Sequence, residues 1–162
     1  MSFLQRLDRT IGTLVAGAQW LALPLVLLLF LQWPLRDWVR VYSREANDLG
    51  QVIFALYVAL SITAATRAGT HLAADTLAQR YSARTRHRLK QLGSALALLP
   101  WALFVVYASK PFVMRSLLGL ESFPDTNNPG YFIIKSALWI MAFVIVAQAA
   151  VDILRKPPLD DS

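Results

Sequence analysis

Residues 11–33 read IGTLVAGAQWLALPLVLLLFLQW, 23 positions without a charged side chain. As a helix, this run reaches about 34 Å, which crosses a hydrocarbon core roughly 30 Å thick. Three more uncharged stretches follow: LGQVIFALYVALSITAAT at 49–66, LGSALALLPWALFVVYAS at 92–109 and SALWIMAFVIVAQAAV at 136–151. The last extends to 131–151 if Lys135 snorkels its ammonium toward the headgroups. The pattern predicts an all-α membrane protein, a single integral-membrane domain with spans at about 11–33, 49–66, 92–109 and 131–151.

The composition agrees. Of 162 residues, 56% are hydrophobic and 16% charged, and the mean hydropathy is +0.46, too apolar for an ordinary soluble domain. Sixteen Lys and Arg against ten Asp and Glu give a net charge of +6, which in a soluble chain would raise the question of nucleic acid. Here the charges sit between the apolar runs, where they suit loops facing anionic lipid. The most basic segment, 67–91, has one aromatic residue, Tyr81, and so no set of stacking platforms. No nucleic-acid partner is expected. The absence of cysteine excludes disulfides, thiolate metal sites and thiol nucleophiles. Arg6 and Arg9 before the first run look like a secretory signal, but that run exceeds the 7 to 15 or so apolar residues of a signal core. An uncleaved anchor is the better expectation.

Pro24 predicts a kink in the first span, and Pro100 one in the third. After Pro34, the residues Leu35, Trp38, Val39 and Tyr42 recur at helical spacing, predicting a short amphipathic helix in the interface. Val113, Met114, Leu117 and Leu118 repeat that pattern. Ala55, Ala59 and Thr63 form a small-residue row that lets another helix approach. Thr70 and Ser82 are expected helix N-caps in the basic loop, and ESFPDTNNPG at 121–130 is dense in turn formers. Ten Lys and Arg fall on the side holding both termini and loop 67–91, and six on the other, so the positive-inside rule predicts both termini in the cytoplasm.

Ionisable residues inside a membrane mark ion or substrate pathways. The uncharged cores hold none, and among their polar residues Gln19, Gln32, Gln51, Ser61, Thr63 and Gln148 suit hydrogen bonds between helices. Both histidines, His71 and His87, lie in the basic loop, which disfavours haem between the spans. Asp75, four residues from His71, makes the only candidate catalytic pair, and such spacing usually supports structure. No catalytic, substrate-binding or metal-ligating residue and no cofactor is therefore expected. The chain should work by holding something else.

Two segments carry a family likeness. ANDLGQVIFALYVALSITAATRAGTHLAADTL at 46–77, with Arg67, Gly69, His71, Leu72 and Asp75, resembles the small permease subunit (DctQ-type) of tripartite ATP-independent periplasmic (TRAP) transporters. So does ESFPDTNNPGYFIIKSALWIMAFVIVAQAAVDILR at 121–155, where Glu121, Ser122, a proline turn and Lys135 lead into the last helix. The chain departs from the family where it has Ala73 and Ala74 between the His and the Asp, in place of a basic residue and Val. The resemblance implies a subunit of the bacterial or archaeal inner membrane that pairs with a large permease subunit carrying the substrate and sodium sites. A periplasmic solute-binding protein would deliver an organic acid or related solute for sodium-driven uptake. It also implies that Arg67, His71 and Asp75 order the cytoplasmic end of the second span against phospholipid or the large subunit, and that Glu121 and Lys135 meet a partner at the outer face. Two other readings stay open: the membrane anchor of a respiratory or other enzyme complex, and a self-sufficient small transporter.

Overall fold

A proline lacks the N–H that an α-helix needs, and its ring crowds the carbonyl four residues back. Pro24 therefore disturbs the helix at Trp20, whose carbonyl accepts from Leu23 N–H at 3.3 Å instead. The computed structural model, which describes residues 3–39, 43–68 and 81–155, shows the result. Helix α1 (Phe3–Gln19) ends one turn before the proline, and α2 (Ala22–Asp37) begins after a turn at Trp20 and Leu21. The interruption expected at Pro24 thus lies upstream of it. The two helices form one run of 35 residues, Phe3–Asp37, apolar and long enough to span a membrane.

Among the described residues no separate amphipathic helix starts at Pro34, and Tyr42 of that expected helix lies outside them. Pro34 lies inside α2, which closes with Trp38 N–H donating to the Pro34 carbonyl at 2.9 Å. Helix α3 (Arg44–Ala68) opens on Ser43, whose hydroxyl accepts from Ala46 N–H at 3.1 Å. Ser82 caps α4 (Ala83–Gly93) as its sequence predicts, accepting from Thr85 N–H at 3.2 Å. The expected cap Thr70, with His71 and Asp75, lies outside the described residues.

From α4 the chain passes through a π turn, Ser94–Leu98, into α5 (Leu99–Leu118). The wider turn, with Leu99 N–H donating to Ser94 carbonyl, sits one turn before Pro100 and absorbs the disturbance that proline imposes. Val113 to Leu118 are the end of α5, which runs through Pro111, and make no second interfacial helix. Arg84–Leu118 is a 35-residue helical run, about 52 Å long and so about 20 Å longer than the hydrocarbon core, which leaves basic α4 at the rim.

The segment 119–130 is ordered. Ser122 and Pro129 form an isolated antiparallel bridge, Phe123 is buried, and Phe123 N–H donates to Asn128 carbonyl at 2.8 Å. Gly130, at φ 137°, adopts a backbone that a side chain would strain, and it turns the chain into α6 (Tyr131–Leu154).

Helix α6 is the centre of the bundle. It packs along α5 on one side and α3 on the other, and α1 touches both α3 and α6. Ala59, Ala102, Ala137, Met141 and Ile145 make the main core, so the small-residue row of α3 faces inward as its spacing suggests. A second core joins Ile11 and Val15 to Val151. Helix α2 buries only Leu25 and leaves Val26, Leu29, Phe30 and Leu31 exposed, a surface suited to lipid or to another membrane helix. Four helical runs, Phe3–Asp37, Arg44–Ala68, Arg84–Leu118 and Tyr131–Leu154, meet the length and composition of membrane spans.

Candidate functional site

Apolar packing holds the middle of the bundle, and polar groups collect at its two ends. At the end that carries both termini, Arg67 closes α3 and sends its guanidinium past Gly12 of α1. Arg67 Nη1 stands 2.9 Å from Asp8 Oδ1 and donates to Gln148 Oε1 at 2.7 Å. Gln148, 3% exposed on α6, passes the link on by donating to Asp152 Oδ1 at 3.1 Å. Lys90 of α4 lies 3.2 Å from the same carboxylate oxygen. Arg155 Nη2 returns to Asp8 Oδ2 at 3.0 Å, while Gln91 donates to the Ile153 and Arg155 carbonyls, both at 2.9 Å. His87 Nε2 lies 3.0 Å from the Arg155 carbonyl.

This clasp ties α1, α3, α4 and α6 into one unit. Its charges alternate in sign, which offsets the desolvation that buried Asp152 would otherwise suffer alone. Asp152 Oδ2 and, in α3, the Thr63 hydroxyl are buried without hydrogen bonds.

At the opposite end, Lys135 donates to Glu121 Oε1 at 2.7 Å and lies 4.4 Å from the Phe112 ring centre and 5.1 Å from that of Tyr131. The ammonium holds the Glu121 carboxyl below the usual glutamate range. Thr126 of the same loop donates to Asp48 Oδ2 of α3 at 2.5 Å. The loop is thereby pinned to α3 by one carboxylate and to α6 by another.

The expected site residues thus separate. Arg67 sits in the clasp. Glu121 and Lys135 form a pair at the far end, turned on each other, and no partner surface is shown at either. His71 and Asp75 fall outside the described residues. Asp8, Asp48, Lys90 and Asp152 were not singled out by sequence, although Asp152 stands one helical turn from Gln148, the spacing at which side chains meet. Among the described residues, no three His, Asp or Glu side chains gather as a metal site requires. Among the described residues, the arrangement is one that holds helices together.

Comparison with known families decides the assignment. The model of the family described as tripartite ATP-independent periplasmic transporters, DctQ component, matches residues 25–157. The chain belongs to the DctQ family. It is therefore a transporter component, the small membrane subunit of a TRAP system, and not an enzyme. Membership implies association with a large permease and a binding protein. No curated protein and no solved structure matches the chain.

Proposed function

We propose that this DctQ chain braces the large permease subunit during sodium-driven, binding-protein-dependent uptake of an organic acid or related solute across the bacterial or archaeal inner membrane. In this reading both termini and the clasp face the cytoplasm, because the positive charges are concentrated there. The large subunit carries substrate and sodium, and the small one stays still beside it. Arg67, with His71 and Asp75 that follow it in sequence, orders the cytoplasmic end against the large subunit or phospholipid. Glu121 and Lys135 order the outer loop beside the large subunit or the binding protein.

The observation that carries the reading is where the charges sit. Asp8, Arg67, Lys90, Asp152 and Arg155 are paired at one end, Asp48, Glu121 and Lys135 are engaged at the other, and the core between them is apolar. A moving subunit that bound sodium would need exposed or convertible polar groups at mid-depth. The test is co-purification of the large subunit with the tagged chain, followed by uptake into liposomes with and without a sodium gradient. Stable co-purification and loss of uptake when sodium is replaced by potassium are expected. Uptake indifferent to sodium would overturn the coupling, and failure to co-purify would overturn the brace.

A further inference from the structure

Between α3, α5 and α6, next to the π turn, runs a mainly apolar groove of about 440 Å³ whose lining includes Ile62, Thr66, Gly93, Ala97, Trp101 and Ile145. Pockets of this size take drug-sized or larger apolar ligands. Its upper edge is Gly93, the last residue of α4, where an added Cβ would meet nothing within 4 Å. Gly93, Ala97 and Trp101 all face the groove, so the same helical row continued toward the N-terminus of α4 carries Lys90 and Arg86.

Helix α4 reads ARTRHRLKQLG, with four basic residues and no acidic one. Arg86 and Arg88 are exposed and make no ion pair among the described residues. Lys90 has one contact, to Asp152, and an ammonium has three protons to give. Trp101 lies eleven residues past Lys90, about 16 Å along the axis, which is the depth of one leaflet. A cationic rim therefore stands directly above an apolar channel one leaflet deep.

We infer that this surface is a binding site for one anionic phospholipid, its phosphate held by Arg86 and Lys90, with Arg88 on the opposite side of α4 adding to the positive field, and one acyl chain lying in the groove to Trp101. Charge complementarity selects the headgroup, since α4 carries no carboxylate and the one beside Lys90, that of Asp152, is buried. The glycine and alanine at 93 and 97 leave the chain its room. The site rests on membrane insertion alone and does not depend on the proposed role beside the permease.

Native mass spectrometry of the full-length chain, with whatever subunit co-purifies, tests it using phosphatidylglycerol and phosphatidylcholine with the same acyl chains. One phosphatidylglycerol is retained in preference to phosphatidylcholine. The variant Arg86→Ala with Arg88→Ala lowers phosphatidylglycerol affinity about tenfold and removes the preference. Gly93→Leu, which fills the channel mouth without a clash at its Cβ, lowers retention of both lipids. Unchanged helical content by circular dichroism checks the fold of each variant. Equal retention of the two lipids by the native chain, or retention unaffected by both variants, would overturn the site. If Gly93→Leu releases the large subunit and leaves lipid retention intact, the groove is a protein seam and the inference is wrong.

Discussion

Arg67 and Asp8, 59 positions apart in sequence, meet at 2.9 Å and join the first helix of the chain to the end of α3. The same Arg67 nitrogen donates to Gln148, so one guanidinium serves α1, α3 and α6 together. Arg presents several donors in a fixed plane, which a single ammonium does not reproduce.

Replacing Arg67 with Ala frees Asp8 on one side and leaves the Oε1 of buried Gln148 without its donor. The ion pair is about a quarter exposed and is weakened by solvent, so most of the cost comes from Gln148. A loss of about 1–2 kcal/mol is expected, seen as a fall of roughly 3–6 °C in the melting midpoint. Arg67→Lys should recover only part of it. A midpoint equal to the native one in Arg67→Ala would remove the clasp from the stability of the bundle.

Asp152 is nearly sealed, with its side chain 3% exposed, whereas that of Lys90 is 44% exposed. Removing Lys90 alone, as Lys90→Met, leaves a buried carboxylate short of a counter-charge and should cost about 2 kcal/mol after allowing for its exposure. Lys90→Met combined with Asp152→Leu should be more stable than Lys90→Met alone. Thermal unfolding of the two single variants and the double variant measures the coupling, and additive effects would show that the pair does not interact.

The Glu121 carboxyl is held below its ordinary range by Lys135, so its sign is that of a depressed acid. Its contribution is complete above the unfolded pKa of about 4.3 and disappears as pH falls through the lower folded value. Protease resistance of loop 119–130 should therefore persist from pH 7 to near 4.5 and decline below it. Lys135→Met should raise the pH at which that decline begins. An identical pH profile in the native chain and the variant would show that Lys135 does not set the Glu121 ionisation.

Thr126 donates to a carboxylate that is 8% exposed, Asp48. Thr126→Val keeps the shape and removes the proton, leaving Asp48 unsatisfied at a cost of about 1–3 kcal/mol. The loop should become accessible to protease ahead of the helices, in limited digestion followed over time. Simultaneous cleavage of loop and bundle would contradict this order.

The four-span layout was legible because hydropathy over some twenty residues is a strong signal, and water-free backbone must close its hydrogen bonds inside a helix. Element boundaries were less so. Pro24 gave the presence of a break but not its place, since proline acts on the carbonyl four residues upstream. Leu35 to Asp37 and Val113 to Leu118 carry amphipathic spacing, yet they are the ends of existing helices, and spacing alone does not say where a helix began. Arg67 was visible through the family likeness of the segment that closes the second span. Asp8, Lys90 and Asp152 were not, because their pairing depends on which helices lie side by side, a tertiary fact with no local pattern. Gln148 was read as interhelical glue, and its bond to Arg67 agrees.

The central claim is that this chain supports transport without providing the path. Liposomes containing the chain alone, the large subunit alone, or both, each supplied with the binding protein, its solute and an inward sodium gradient, test this most directly. The account predicts solute accumulation with both subunits and none with the small chain by itself. Accumulation in liposomes that hold only the small chain would contradict it.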